Sequence, residues 1–166
     1  MNLSDGRKSK SFVGIMAVIV VVVAALDQLV KALMINLLAD GPIYVLGDWF
    51  RFRLLFNSGA AFSMGESSTW LFTCIQLAFV VGIAIYARKV KDPWTAVGLA
   101  MVAGGAAGNL IDRLFRAPSF FLGHVVDFIS VGNFAVFNIA DASITCGVLV
   151  FIVGVLLEER KETARA

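Results

Sequence analysis

A chain of 166 residues that is 59% hydrophobic and only 16% charged is too apolar for an ordinary soluble domain, where about a quarter of residues carry charge. With a mean hydropathy of +0.85, it reads as a small all-α polytopic membrane protein. The net charge of +2 is too small and too dispersed for a nucleic-acid partner. Two cysteines, Cys74 and Cys146, lie in apolar runs; with no framework of spaced cysteines they are read as packing residues.

The polar start carries Arg7, Lys8 and Lys10 and leads into an uncharged run from Ser11 to Leu26. A basic start, an apolar core and the small pair Ala24-Ala25 are also the features of a secretory signal peptide. The apolar pattern nevertheless continues past Asp27 and Lys31 to Leu38, which favours an uncleaved first span over about 12–38. Asp40-Gly41-Pro42 breaks it. Residues 43–56 have strand-like composition, and Phe50-Arg51-Phe52-Arg53-Leu54 alternates. An open strand cannot cross lipid, so a small sheet at the membrane surface is expected. Asn57 to Ser63 is rich in small residues and reads as a loop dipping toward the membrane.

A second span is expected over 67–87, with Trp70 and Tyr86 near its ends as interfacial anchors. The basic turn Arg88-Lys89-Val90-Lys91-Asp92-Pro93 leads to a third span over 94–111. Within it Gly104 and Gly108 form a small-xxx-small pair that admits a close helix or an extended ligand. Residues 114–133 read as an irregular loop holding a short strand at 124–129, which Asp127 closes. The fourth span is expected over 134–157, with a charged tail from Glu158 that frays. Four spans place both termini on one side. Six basic residues, in the N-terminal arm and the 88–91 turn, face four on the two longer loops. By the positive-inside bias the termini are cytoplasmic. No internal repeat divides the chain, so 1–166 is read as a single membrane-embedded domain.

Five carboxylates stand out: Asp27, Asp112, Asp127, Asp141 and Glu66. Carboxylates are costly in a membrane segment unless something uses them. Asp27 and Lys31 share a helix face at i, i+4 and form a neutralising pair. Asn109, Asp112 and Arg113 share another, where Arg113 pairs with Asp112 or orients a substrate carbonyl; Asp112 is read as structural. Asp127 and Asp141 have no basic neighbour in sequence, and Asn138 lies three residues before Asp141 on its face. Two carboxylates held close cannot both ionise. One then draws a proton from water while the other polarises a peptide carbonyl. The alternative is two separate acids at the interface. A metal site of His124, Asp127, Asp112 and Asp141 lacks the spacing of zinc motifs, and Ser143 with Lys31 as base has nothing local to support it. A proton-coupled carrier predicts acids near the bilayer midplane and a repeated half; a non-enzymatic assembly factor would tolerate loss of both aspartates.

Five blocks, in order, carry a resemblance: Leu26-Asp27-Gln28-Leu29-Val30-Lys31, Asn57-Ser58-Gly59-Ala60-Ala61-Phe62, Gly108-Asn109-Leu110-Ile111-Asp112-Arg113, Gly123-His124-Val125-Val126-Asp127-Phe128 and Phe137-Asn138-Ile139-Ala140-Asp141. Together they resemble the motifs of the bacterial lipoprotein signal peptidases, the type II signal peptidases. The resemblance implies a four-helix inner-membrane aspartic endopeptidase with an outward-facing sheet that cradles substrate. It would cleave prolipoproteins before a cysteine carrying diacylglycerol, with no cofactor or metal, as a monomer among membrane lipids. It implies that Asp127 and Asp141 are catalytic. Asn57, Gly108, Asn109, Arg113, Asn138 and Ala140 match positions that bind substrate or support the site, and Asp27, Lys31 and Asp112 match structural ones. Phe56 stands where many relatives have tyrosine, and residues 114–122 carry no signature.

Overall fold

The computed structural model describes residues 11–59 and 69–163. Arg7, Lys8, Lys10, Glu66 and most of the loop expected to dip toward the membrane lie outside them. Four long helices carry the fold: α1 Val13–Leu37, α2 Thr69–Tyr86, α3 Pro93–Phe115 and α4 Ile139–Thr163. Three strands, β1 Ile43–Leu46, β2 Phe50–Asn57 and β3 Val125–Val131, form one antiparallel sheet in the order β1-β2-β3. At ~1.5 Å per residue, all four helices approach or exceed the ~30 Å of a bilayer's hydrocarbon, and all four are apolar enough to cross it.

The helices bury stripes rather than cores. On α1, Ala24, Asp27, Lys31 and Met34 are buried while Val18, Val21, Leu29 and Leu33 are exposed. That inversion suits lipid, which makes apolar side chains cheap to expose and polar ones costly. α3 is the most buried span and packs against each of the other three helices. Its start is well specified, since Asp92 accepts from the Thr95 backbone N–H at 2.8 Å with Pro93 at the first helical position. Its glycines admit neighbours on two sides. A Cβ at Gly104 would lie 2.7 Å from Val23 Cβ of α1, one at Gly108 would lie 2.6 Å from Asp27 Oδ2, and one at Gly105 would strike the Ala140 carbonyl of α4. The stripe is thus filled by α1 and α4 rather than left open for an extended peptide.

Several boundaries differ from the sequence reading. α3 runs on to Phe115, so Asp112 and Arg113 are helical. Residues 134–138 are not helix. Phe137 instead pairs with Ile129, donating its N–H at 3.0 Å and accepting at 2.8 Å, and α4 begins at Ile139. The fourth helix runs past the expected end at 157 and through Glu158 to Thr163. Asp127 is the third residue of β3 rather than its last. Cys74 and Cys146 are exposed on the helix surfaces, not packed inside.

The sheet caps the end of the bundle where α1 and α3 finish and α2 and α4 begin. Gly41, at φ +131°, provides the turn out of α1 toward β1 that a residue with a Cβ would adopt only under strain. Val126 and Phe128 of β3 are buried against Met34 and Leu38 at the end of α1. Asp127, between them in sequence, therefore points to the opposite face of the strand.

Candidate active site

Asp127 reaches its place through strand pairing. Leu55 pairs with Asp127 and Asn57 with Val125, so Asn57 is the diagonal neighbour of Asp127 on the same face. Asn57 Nδ2 donates to Asp127 Oδ2 at 2.9 Å. Asp127 is 1% exposed. Burial pushes its carboxyl up to about 6, with Asp141 pushing the same way and the amides of Asn57 and Asn138 opposing.

Asp141 reaches the same place through helix capping. Asn138 precedes the first turn of α4, and its Oδ1 accepts from the Asp141 backbone N–H at 3.0 Å. The Asn138 backbone N–H returns a bond to Asp141 Oδ2 at 3.2 Å. This is a capping box with aspartate in place of the usual glutamate. The Asn138 Nδ2 points away from the Asp141 carboxylate and donates to Asp127 Oδ1 at 2.7 Å. The spacing of Asn138 and Asp141 allows that NH2 to donate to the Asp141 carboxylate; the Asn138 backbone N–H makes that bond instead. Asn138 therefore ties together two aspartates carried by different elements, β3 and α4.

Behind them lies a polar cluster with Lys31 at its centre. Lys31 Nζ contacts Asp27 Oδ2 at 2.7 Å, Asp112 Oδ2 at 2.8 Å and Asn109 Oδ1 at 2.9 Å. Lys31, Asp27 and Asp112 are all fully buried. Asp27 Oδ1 accepts from the Ala140 backbone N–H at 2.9 Å, satisfying a donor of the α4 N-terminus that water cannot reach. Asp112 accepts from the Val126 backbone N–H at 3.1 Å and so holds β3. Asn109 Nδ2 donates to Asp141 Oδ1 at 2.8 Å. Each carboxylate of the cluster thus fastens an element that carries a catalytic candidate.

Two partners differ from expectation. Asp112 pairs with Arg116 Nε at 2.6 Å, not with Arg113. Arg113 is 4% exposed and lies over the Phe72 ring at 5.5 Å; its Nε and Nη1 have no hydrogen-bond partner among the described residues. Gln28 also belongs to the cluster, donating to the Gly108 carbonyl at 2.9 Å and to Asp112 at 3.0 Å. The signal for Arg116 was its i, i+4 spacing from Asp112; for Gln28 it was only adjacency to Asp27.

In front of the aspartates is a cavity of about 550 Å³, lined by Asn57, Asp127 and Asp141, by residues 134–137, and by Thr145 and Cys146 of α4. Gly108, Asn109, Arg113, Asn138 and Ala140 stand outside its lining. His124 lends its backbone N–H to the Ala117 carbonyl at 2.9 Å. Among the described residues no three of His, Cys, Asp and Glu are arranged to hold a metal ion.

The family model for Signal peptidase (SPase) II, peptidase family A8, matches residues 19–157. This chain belongs to the signal peptidase II family. It is an aspartic peptidase of that family. It is 50% identical over 132 residues to a lipoprotein signal peptidase of Mycobacterium avium, covering 79% of this chain and 72% of that one. It is 47% identical over 141 residues to one of Rhodococcus jostii, covering 84% and 71%. A bacterial membrane enzyme solved by the in meso method at 2.3 Å superposes with a TM-score of 0.74 and 28% identity, over 91% of this chain and 93% of that one. A second, at 1.9 Å, gives 0.73. This signal peptidase II is accordingly a multi-pass bacterial membrane enzyme with four candidate spans among the described residues.

Proposed function

We propose that this peptidase removes the signal peptide from prolipoproteins, cutting before a cysteine that carries diacylglycerol, with Asp127 and Asp141 as its catalytic pair. The observation that carries the reading is the bridge through Asn138, which bonds both carboxylates while a cavity opens on each of them. We read 1–166 as one domain in the bacterial cytoplasmic membrane. By charge bias its termini are cytoplasmic and its sheet end faces outward.

In the proposed reaction the pair holds one proton. Burial favours its residence on Asp127. Asp141 sits in the first turn of α4, where the helix dipole and two donors suit an anion. Asp141 takes a proton from water as the water oxygen bonds to the peptide carbonyl carbon. Asp127 gives its proton to the carbonyl oxygen. When the tetrahedral intermediate collapses, the C–N bond breaks, Asp141 passes its proton to the leaving nitrogen, and Asp127 recovers one from the hydroxyl. Arg113, buried with two nitrogens unpartnered among the described residues, is assigned to a substrate carbonyl. Asn57, Asn109 and Asn138 orient the pair, and Gly108, Ala140, Asp27, Lys31 and Asp112 hold the scaffold.

The lipid on the substrate gives the reading its physical sense, since a diacylglyceryl group keeps the scissile bond at the membrane surface. Purified peptidase in bilayers, given a precursor with and without the diacylglyceryl group, tests it. Cleavage only of the modified precursor, with the new N-terminus at the cysteine, is expected. Equal cleavage of the unmodified precursor contradicts it.

A further inference from the structure

Two of the three contacts of Lys31 balance charge; the third, to the Asn109 amide oxygen, does not. That oxygen is held twice, by Lys31 Nζ at 2.9 Å and by Asn138 Nδ2 at 3.0 Å. The amide has one oxygen and one NH2, so its NH2 is left facing Asp141 Oδ1, at 2.8 Å. The reverse orientation sets an NH2 against an ammonium and a second NH2, and an oxygen against a carboxylate. All three contacts then become repulsive.

We propose that Lys31 is a positioning residue for peptide hydrolysis: by holding the oxygen of Asn109 it presents that residue's NH2 to Asp141, the carboxylate that takes the proton from water. The proposal rests on the assignment of Asp127 and Asp141 made above. Without Lys31, Asn109 keeps one neutral anchor and is free to turn its oxygen toward Asp141. The base then loses both a donor and its aim. The ammonium therefore acts on the site through one amide, without touching substrate.

The charged groups around Asp141 are Asp127 on β3 and Arg113 on α3. Behind Asn109 stand Lys31 and Asp27 on α1, with Asp112 and Arg116. On β2, Arg51 is held by Asp48 and Arg53 is exposed. The titratable residues of α2, Cys74 and Tyr86, are exposed.

Two variants test the proposal. Lys31→Met combined with Asp27→Asn removes the anchor while keeping the local charge balance and an acceptor for the Ala140 N–H. Asn109→Asp keeps an oxygen for Lys31 and Asn138 but turns a carboxylate oxygen, not a donor, toward Asp141. Both are assayed for kcat and KM per folded, inserted enzyme. In each, kcat falls about tenfold to hundredfold, the worth of one hydrogen bond to a charged group. KM changes by less than about twofold, because the ammonium acts on the base and not on the substrate. If kcat per folded enzyme matches the parent in either variant, Lys31 is structural and the proposal is overturned. Failure of the catalytic assignment itself reads differently: Asp127→Asn would then cleave normally.

Discussion

Asn138 and Asp141 cap one another at the start of α4, side-chain oxygen to backbone N–H at 3.0 Å and backbone N–H to carboxylate at 3.2 Å. The same Asn138 carries the donor to Asp127. Helix capping and alignment of the pair are thus two tasks of one side chain, and substitution can separate them. Asn138→Ala loses both, costing about 1–2 kcal/mol of stability together with activity. Asn138→Ser restores a good cap but not the reach to Asp127. Thermal unfolding of the serine variant is expected near the parent value while its kcat stays low.

Burial pushes Asp127 up to about 6, so folding favours its protonated form. Its contribution to stability is complete below the ordinary carboxylate value of 3.8 and is lost as pH rises through about 6. In the proposed mechanism the proton on Asp127 is needed for the reaction, so kcat/KM has a basic limb near pH 6. The amide of Asn57 holds that value down by donating to the carboxylate. Asn57→Ala is therefore expected to move the basic limb to higher pH, measured as kcat/KM against pH.

Two ion pairs of this chain differ sharply in what they contribute. Lys31→Met leaves the buried Asp27 and Asp112 without their shared ammonium. Breaking a buried pair from one side costs about 3–5 kcal/mol. Arg51 meets an Asp48 side chain that is 86% exposed, and solvent screens such a pair. Arg51→Ala is expected to leave thermal stability unchanged, while Lys31→Met lowers it severely in the same detergent.

Gly105→Ala drives a methyl group into the Ala140 carbonyl, a backbone atom next to Asp141. Overpacking of this kind costs about 1–3 kcal/mol. Because the strain falls at the start of α4, activity per folded enzyme is expected to fall as well. Gly14→Ala, where a Cβ meets nothing within 4 Å, is the control and is expected to change neither.

Helix-length apolar runs made the four spans legible, and the alternation around Phe52 made the sheet legible. The start of α4 was not, because Phe134 to Phe137 is apolar enough to extend a span while Phe137 is held by the backbone of Ile129. Composition cannot report that strand-like pairing. The pairing of Asp112 was misread for a related reason. Only Arg116, at i, i+4, lies within helical reach of it; Arg113, the next residue, faces elsewhere, and the ring of Phe72, forty-one positions earlier in the chain, receives it. Asp27 looked like a neutralised partner of Lys31, and its bond to the Ala140 N–H spans 113 positions. Local spacing identified the residues; only tertiary contact revealed which backbone each one fastens.

Cleavage of a diacylglyceryl-modified precursor by Asp127→Asn and by Asp141→Asn tests the central claim most directly. Both substitutions keep the shape of the side chain while removing its charge and replacing one accepting oxygen with an NH2. The account predicts that each variant inserts as the parent does and yields no product in a single-turnover assay. Parent-level cleavage by either one contradicts it.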